Sequence, residues 1–212
     1  MPKISHDKMA IRKNQIIDAA LYVFSDKGYS QTKMDDIVAY SGISKGGIYT
    51  YFDSKEALFI EIANQRLQLR RNLFDVIKAE MGEQLNYSQL FRHYFYRVLE
   101  GLEQPGTQAI ARFSFEFWST LSKEKHIKSL AYQRYQAFLN DLSSIILKGI
   151  EAGEFAPSLP VDDLGYVILS TLDGMIHTHV IMNIQLTHNA IEAYSDAMLC
   201  LLIGCPKKEC DL

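Results

Sequence analysis

The sequence predicts an all-α protein of about nine helices, in which three short helices precede six mostly longer ones. Apolar residues recur at spacings of three and four along nearly the whole chain, as they do on one face of an amphipathic helix. No segment shows the strict alternation and hairpin turns of paired strands. With 48% apolar residues, 22% charged residues and only 5 prolines among 212, the chain is expected to be soluble and to bury a core.

The first two helices have clear end signals. An apolar stripe predicts a first helix from about Arg12 to Lys27, ended by Gly28, since a left-handed glycine commonly follows a helix C-terminus. Thr32 with Asp35 three residues later resembles a capping box and predicts the start of the second helix. The Ser41–Gly42 pair then ends that helix and opens a tight turn.

A third helix is predicted over about Ser44–Phe52, and a long fourth helix follows it at once. Asp53 and Glu56 form a reciprocal capping pattern, and the fourth helix is expected to reach about residue 81. The second and third helices with their glycine turn therefore form a helix-turn-helix. Later helices are predicted to start near Asn86, Thr107, Ile127, Val161 and Thr187, and the last to end near Gly204.

No part of the sequence has the pattern of a membrane segment or a secretion signal. The most hydrophobic segment, Leu164–Ile184, is interrupted by Asp173, His177 and His179 and lacks flanking Lys or Arg, so we predict a buried helix. The N-terminus has no apolar stretch. Three late cysteines match neither a disulfide framework nor a zinc site. These features favour a reduced, cytoplasmic protein without a metal or another cofactor.

Positive charge is concentrated in the N-terminal quarter of the chain. The net charge is −3, but residues 1–55 hold 8 Lys and Arg against 6 Asp, a net of +2, which leaves −5 for residues 56–212. A basic head on an acidic body is compatible with binding nucleic acid at one end only. We therefore predict a helix-turn-helix DNA-binding domain over 1–55 and a second helical domain over 56–212.

The predicted third helix is poor core material and well suited to contact with DNA. Gly46 and Gly47 each cost about 1 kcal/mol in a helix, yet they would let its backbone approach a duplex closely. Tyr49 and Tyr51 are two residues apart, so they cannot both pack on one helix face. Short helix pairs with a glycine turn are also common in proteins that do not bind DNA, so this pattern alone leaves both interpretations open.

Residues 12–59 carry a dense sequence signature. Its positions are Thr32, Ile37, Ser41, Gly42, Ser44, Lys45, Gly46, Tyr49, Tyr51, Phe52, Lys55, Glu56 and Leu58, preceded by Ile17, Ala19, Ala20, Phe24, Gly28 and Tyr29. On these residues the segment resembles the helix-turn-helix headpiece of the TetR family of bacterial transcriptional regulators. The DNA-contacting set that follows is Thr32, Lys33, Ser44, Lys45, Gly46, Gly47, Tyr49, Thr50, Tyr51 and Lys55. Many relatives carry a base-reading side chain where Gly47 stands, which implies more reliance on DNA shape here.

The resemblance also implies that the remainder of the chain binds a small-molecule effector and dimerises. The expected partners are then double-stranded operator DNA, a second copy of the chain and the effector, with no membrane. Apolar positions that recur on the last two helices are the candidates for the dimer contact: Ile168, Leu172, Ile176, Ile191, Tyr194, Met198 and Leu201. Packing within one chain is the competing explanation of the same pattern.

An unusually aromatic segment, Phe113–Trp118, lies in the sixth predicted helix. These side chains either fill the core of the bundle or line a cavity for a flat, apolar effector. Arg112 and Glu116 are four residues apart, where they could form a surface ion pair. The candidate ligand-binding residues are Phe113, Phe117, Trp118, Asp173 and His177.

Together these observations predict a ligand-responsive transcriptional regulator, a repressor that binds a palindromic operator as a homodimer. A small apolar or aromatic effector would release it by shifting the population toward a form that no longer fits the operator. One alternative is a DNA-binding regulator controlled by a protein partner. The other is a helical enzyme, which we do not expect because no nucleophile–base pair, carboxylate pair or phosphate loop stands at usable spacing.

Overall fold

A computed structural model describes residues 6–82, 86–158 and 160–204 of the chain. Within these ranges the secondary structure is helical throughout, which confirms the predicted all-α class. A short 3₁₀ turn, Gly101–Glu103, follows the fifth helix. The helices are α1 His6–Lys27, α2 Met34–Ser41, α3 Lys45–Tyr49, α4 Lys55–Met81, α5 Tyr87–Glu100, α6 Pro105–Leu121, α7 Lys125–Glu151, α8 Val161–Val180 and α9 His188–Ile203.

The chain divides into two compact units that do not follow the boundary predicted at residue 55. The first unit is Met1–Gln68 with Pro105–Lys128, and the second is Leu69–Gln104 with Ser129–Leu212. The first unit therefore contains α6 as well as the helix-turn-helix. Two helices, α4 and α7, each contribute residues to both units.

Helix α2 starts one residue later than the sequence predicts, because a different acidic residue caps it. The Thr32 hydroxyl donates to the Gly28 carbonyl at 2.7 Å, so it does not cap the helix. Lys33 occupies the cap position, and the Asp36 carboxylate accepts its backbone N–H at 2.8 Å. Asp36 thus takes the role that we predicted for Asp35. Gly28 adopts φ +78°, as expected for the glycine that ends α1.

Two other helix ends differ from the sequence-based boundaries. Helix α1 already includes His6, six residues before the predicted start at Arg12. Helix α3 ends at Tyr49, and Phe52, which we placed in the helix, follows it in a short turn. The remaining boundaries agree with the prediction to within a few residues, which is the ordinary uncertainty of helix ends.

Aromatic side chains from α6 form the centre of the first unit. The Phe117 ring stacks on Phe59 with centroids 3.6 Å apart, and Tyr29 meets Phe117 edge-on at 4.8 Å. Phe113 lies 5.5 Å from Phe24 of α1. All five rings are buried. Because such rings contribute large buried areas, α6 is a structural part of the headpiece.

The second unit has a separate aromatic core. Phe74 of α4 stacks on Tyr94 of α5 with centroids 3.7 Å apart. The Tyr194 hydroxyl of α9 donates to the Ile168 carbonyl of α8 at 3.0 Å and joins these two helices. A Cβ atom at Gly165 would lie 2.5 Å from a methyl group of Leu139, so a larger residue where α8 meets α7 would require the Leu139 side chain to move.

Two further observations concern the hydrophobicity of the helices and the state of one cysteine. Among the described residues, none of the helices is both long and apolar enough to cross a membrane. Cys200 is disulfide-bonded, which corrects the expectation that all three cysteines are reduced. Cys205 and Cys210 lie outside the described residues.

Candidate functional site

The two glycines of α3 differ in their surroundings. The Ser44 hydroxyl caps the helix by accepting the Gly47 N–H at 3.2 Å. A Cβ atom at Gly47 would lie 3.1 Å from side-chain atoms of both Ile43 and Ser44, so a larger residue would require these side chains to shift by a few tenths of an ångström. A Cβ at Gly46 would meet nothing within 4 Å. The helix propensity lost at Gly46 therefore has no internal reason, which favours close approach by an external partner.

Most of the predicted DNA contacts share the outer surface of the helix-turn-helix. Ile48 anchors α3 from the opposite side and is fully buried. Tyr51 is half-buried and packs against the core, and Gly47 is also half-buried, so these two are less available. The exposed members, which we call the α3 surface, are Lys33, Ser44, Lys45, Gly46, Tyr49 and Thr50.

An acidic residue neutralises the most exposed lysine of the α3 surface. The Lys45 ammonium lies 2.7 Å from the Asp35 carboxylate, and this hydrogen bond raises the pKa of Lys45. Both side chains are exposed. DNA phosphates would compete with Asp35 for Lys45, since a charge-assisted hydrogen bond is available from either acceptor.

We expect Asp35→Asn to tighten binding to DNA by a few-fold. The substitution frees Lys45 for a phosphate and removes one negative charge from the binding surface, and it is expected to act equally on all sequences. The dissociation constants for specific and random DNA measured at several salt concentrations test this. Asp75→Asn in the second unit makes the same charge change and should leave both constants unchanged. Unchanged or weaker binding by Asp35→Asn would contradict the prediction.

Thr32, a predicted DNA contact, is instead part of the core. Its side chain is 1% exposed, and its hydroxyl is bonded to the Gly28 carbonyl. The hydroxyl also lies 3.5 Å from the Val23 carbonyl, near the end of α1. Threonine at this position therefore joins α1 to α2, and we remove its side chain from the predicted contact set.

Lys55, also predicted to bind phosphate, is turned inward. Its ammonium donates to the carbonyls of Tyr29, Ser30 and Thr32 at 2.9, 3.3 and 3.0 Å. It also lies 4.5 Å above the Tyr29 ring, where a cation is attracted to the ring face. Partial burial lowers the pKa of Lys55, and the nearby Glu116 carboxylate opposes this. The three donors of this lysine are thus committed to the turn that joins α1 and α2.

Glu116 of α6 holds the same turn from its other side. Its carboxylate accepts the backbone N–H groups of Tyr29 and Ser30, each at 2.8 Å. This contact could not be predicted from the sequence, because the partners are 87 and 86 residues apart. The expected surface pair with Arg112 is therefore replaced by a contact with backbone. We call the turn of residues 29–32, with Lys55 and Glu116, the clamped turn.

The predicted ligand-binding residues do not form one site. Phe113 and Phe117 are 1% and 0% exposed in the core of the first unit. Trp118 is half-buried beside them, with its ring 5.6 Å from Phe59. Asp173 and His177 belong to the second unit. For the aromatic segment, the structure thus supports the alternative interpretation, in which the rings fill a core.

Asp173 does interact electrostatically with Arg70, as do Tyr94 and Arg134. We call these four residues the Arg70 cluster: Tyr94 is buried, Arg70 and Arg134 are half-buried, and Asp173 is exposed. Burial lowers the pKa of Arg134, and the Arg70 charge lowers it further. Burial raises the pKa of Asp173, against the opposing effect of Arg70. The guanidinium of Arg70 lies 5.0 Å from the Phe138 ring centroid.

Tyr94 is the least satisfied member of the Arg70 cluster. The residue is fully buried, yet its hydroxyl has no hydrogen-bond partner among the described residues. Burial raises the pKa of this phenol. A buried hydroxyl without a partner costs free energy, and in native proteins it commonly indicates an absent water or ligand. The cluster therefore brings together a phenol, two guanidinium groups and the Asp173 carboxylate, with the Phe138 ring beside Arg70.

The predicted dimer residues are mostly interior. Leu201 is 43% exposed on α9. The other six are buried within the chain, because they face between α8, α9 and the rest of the second unit: Ile168, Leu172, Ile176, Ile191, Tyr194 and Met198. The apolar stripe that we predicted as a dimer contact is thus the inner face of these helices. This agrees with the competing explanation, which is packing within one chain. Their outer faces expose other small and apolar residues, among them Val167, Ala193 and Ala197.

Comparison with known proteins agrees with this geometry. Residues 16–62 match the profile of bacterial regulatory proteins of the tetR family, and residues 90–189 match a tetracyclin repressor-like C-terminal domain. The HTH-type transcriptional regulator YfiR of Bacillus subtilis is 30% identical over 82% of this chain and 83% of its own. This chain belongs to the TetR family.

Other members of the TetR family extend the similarity to most of the chain. The fatty acid metabolism regulator protein of Bacillus subtilis is 27% identical over 90% of this chain and 93% of its own. The crystal structure of FadR from Bacillus subtilis in complex with stearoyl-CoA has a TM-score of 0.70 at 23% identity, covering 90% of this chain and 97% of that one. A TetR-family regulator from Syntrophomonas wolfei has a TM-score of 0.75 at 21% identity, covering 94% and 99%.

Family membership confirms the function predicted at the coarser level. The protein is a DNA-binding transcriptional regulator and not an enzyme. Within the described residues, His, Cys, Asp and Glu form no group of three or more that could hold a metal ion. Sequence reasoning found the α3 surface. It missed the contact of Glu116 with the turn and, except for Asp173, the Arg70 cluster, because these residues come together only in the folded chain.

Proposed function

We propose that the protein acts in the cytoplasm as a homodimer that binds a palindromic operator through α3 and leaves it when an amphiphilic small molecule binds the second unit. The α3 surface carries this proposal, because Lys45, Tyr49 and Thr50 surround the open space in front of Gly46. Donors on this surface suit phosphates and base edges. Two-fold symmetry would pair two such surfaces with two half-sites about one helical turn, or a multiple of it, apart.

Binding to DNA from the region upstream of the protein's own coding sequence tests the operator proposal. The full-length protein is titrated against this DNA and against random DNA across a salt series. We expect a much lower dissociation constant for the upstream DNA and a steep dependence on salt, since phosphate contacts release counterions. Equal affinity for the two DNAs would count against an operator in that region.

For the effector, we propose a molecule with an apolar chain and an anionic group, held at the Arg70 cluster. The buried Tyr94 hydroxyl and the guanidiniums of Arg70 and Arg134 suit the anionic part, and Phe74 and Phe138 suit the apolar part. One solved relative holds stearoyl-CoA, a molecule of this chemical class. This choice narrows the sequence-based expectation, which was any apolar or aromatic effector.

Thermal unfolding with candidate effectors tests the chemical class. A ligand that binds only the native state raises the melting temperature, so stearoyl-CoA, stearate and free coenzyme A are compared at equal concentrations. We expect stearoyl-CoA or stearate to raise it and to release operator DNA, and coenzyme A alone to do neither. If none of the three has an effect, control by a protein partner becomes the better hypothesis.

We propose that the dimer forms through the outer faces of α8 and α9. Ala193, Ala197 and Leu201 recur every four residues on the exposed side of α9, and Val167 is 43% exposed on α8. Small and apolar residues on adjoining exposed faces allow two helix pairs to approach closely.

Ala197→Glu is expected to convert the dimer to a monomer at micromolar concentration. Two-fold symmetry would place two unpaired carboxylates in one apolar contact, and like charges at an interface cost several kcal/mol. Molar mass measured by light scattering after size-exclusion chromatography decides the outcome. Ala79→Glu, an exposed alanine of α4, is the matched control and should leave the mass unchanged. A dimer that tolerates Ala197→Glu would exclude this face.

A further inference from the structure

We infer that Glu116 is a positioning residue for operator recognition: its carboxylate fixes the clamped turn, and the clamped turn sets the place of α2 and α3. This inference rests on the proposal that α3 reads the operator. Glu116 belongs to α6, outside the helix-turn-helix sequence, and it determines whether α3 has the correct position to contact the operator.

The contact has the geometry of a specific anion site. Two consecutive backbone N–H groups, of Tyr29 and Ser30, converge on the two carboxylate oxygens at 2.8 Å each. A Cβ atom at Gly28 would lie 3.0 Å from one of these oxygens, so the glycine leaves room for the carboxylate. Gly28 also has φ +78°, which other residues rarely adopt. The turn therefore accommodates Glu116 by sequence as well as by shape.

Lys55 completes the hold on the turn from the carbonyl side. It donates to three carbonyls of the same four residues, so both the N–H and the C=O groups of the turn are bonded to charged side chains. Backbone groups in a connection between helices otherwise bond to water and leave its conformation free. Helix α2 begins directly after the clamped turn, and α3 follows it across the Gly42 turn. The position of α3 thus depends on the turn.

Charge is essential to this role. Burial would raise the pKa of Glu116, but hydrogen bonds from Ser30 and Tyr29 and the Lys55 charge more than offset it and lower the pKa. Glu116 is therefore ionised at neutral pH. Because the pKa in the folded protein is depressed, the contact stabilises the fold above the ordinary pKa of 4.5 and is lost as the pH falls through the lower, folded value.

The second unit contains a matched example of the same interaction. The Glu154 carboxylate accepts the backbone N–H groups of Tyr87 and Ser88, at 2.9 Å each, at the start of α5. The chemistry, the distances and the effect of a Glu→Gln change are nearly the same as at Glu116. Only the position in the fold differs. Comparison of Glu154→Gln with Glu116→Gln therefore separates a general loss of stability from an effect on the DNA-binding helices.

The test compares Glu116→Gln, Glu154→Gln and wild type for binding to operator and to random DNA. An amide offers one acceptor oxygen and turns its NH₂ group toward the second N–H, so the clamp is broken with little change in volume. We expect Glu116→Gln to weaken operator binding about ten-fold, although it removes a negative charge and should on electrostatic grounds tighten binding to any DNA. Binding to random DNA is expected to be unchanged or tighter. Glu154→Gln should change neither.

Several outcomes would overturn the inference. Operator binding by Glu116→Gln at the wild-type level does so, as does an equal loss by Glu154→Gln. Hydrogen exchange of wild type gives a measurement that needs no variant: the amides of Tyr29 and Ser30 should be protected, and exchange at the rate of an open turn would also overturn it. If the wild-type protein binds operator and random DNA equally, the proposed function itself is wrong. If wild type prefers the operator and Glu116→Gln binds it equally well, only the inference about Glu116 is wrong.

Discussion

Replacing both Lys45 and Tyr49 with alanine is expected to weaken operator binding on the order of 100-fold and to leave the fold intact. Both side chains are exposed on the α3 surface, and neither is part of the core. Each contact with a phosphate or a base edge contributes roughly 1–3 kcal/mol, so the loss of two such contacts has an effect of this size. Loss of the lysine should also reduce the salt slope by about one. Titration of operator DNA at several salt concentrations measures both quantities.

The chain offers a close control for this double variant. Lys128 and Tyr132 are also exposed and four residues apart on one helix, α7. Alanine at both positions removes the same groups and should leave operator binding unchanged. Lys55 is a poor choice for this test, because its loss would disturb the clamped turn and weaken binding indirectly. Operator binding that survives the loss of Lys45 and Tyr49 would contradict the assignment of α3 as the reading helix.

Most of the fold could be predicted because helix ends carry local signals. Gly28 and Gly42 have the left-handed backbone that ends a helix. The starts of α2 and α3 are each capped by a hydrogen bond between residues three apart, Lys33 with Asp36 and Ser44 with Gly47. The apolar stripe that packs against the core can likewise be recognised within the sequence of each single helix. These signals need only a few consecutive residues, which explains why the element order was predicted from sequence.

Two parts of the candidate site could not be predicted, for different physical reasons. The clamped turn depends on Glu116 and Lys55, which meet backbone groups that carry no sequence information. The role of Phe113 and Phe117 depends on which unit α6 joins, since a core and an apolar pocket are made from the same residue types. The exposed faces of α8 and α9 were difficult to identify from the sequence for a similar reason. The more apolar stripe of each helix is its buried inner face, so it gives the stronger pattern.

Tyr94→Phe is expected to stabilise the free protein by about 1–3 kcal/mol, because it removes a buried hydroxyl for which the described residues supply no hydrogen-bond partner. For a chain of this size the melting temperature should rise by roughly 2–4 °C for each kcal/mol. The ring and its stack on Phe74 are retained. If the hydroxyl is kept for the effector, the same variant should lose most of the increase in melting temperature that stearoyl-CoA gives the wild type.

Tyr194→Phe is the matched control and should have the opposite effect on the free protein. Its hydroxyl is buried too, but it donates to the Ile168 carbonyl at 3.0 Å, so its removal costs a hydrogen bond of about 1 kcal/mol. The response of this control variant to stearoyl-CoA should match that of wild type. A destabilised Tyr94→Phe protein would show that the hydroxyl is already satisfied in the free state. A stabilised variant that keeps the full ligand response would place the effector away from the Arg70 cluster. Gain of stability combined with loss of response is the result that a site held ready for an anionic group requires, because the hydroxyl is costly only until the ligand binds it.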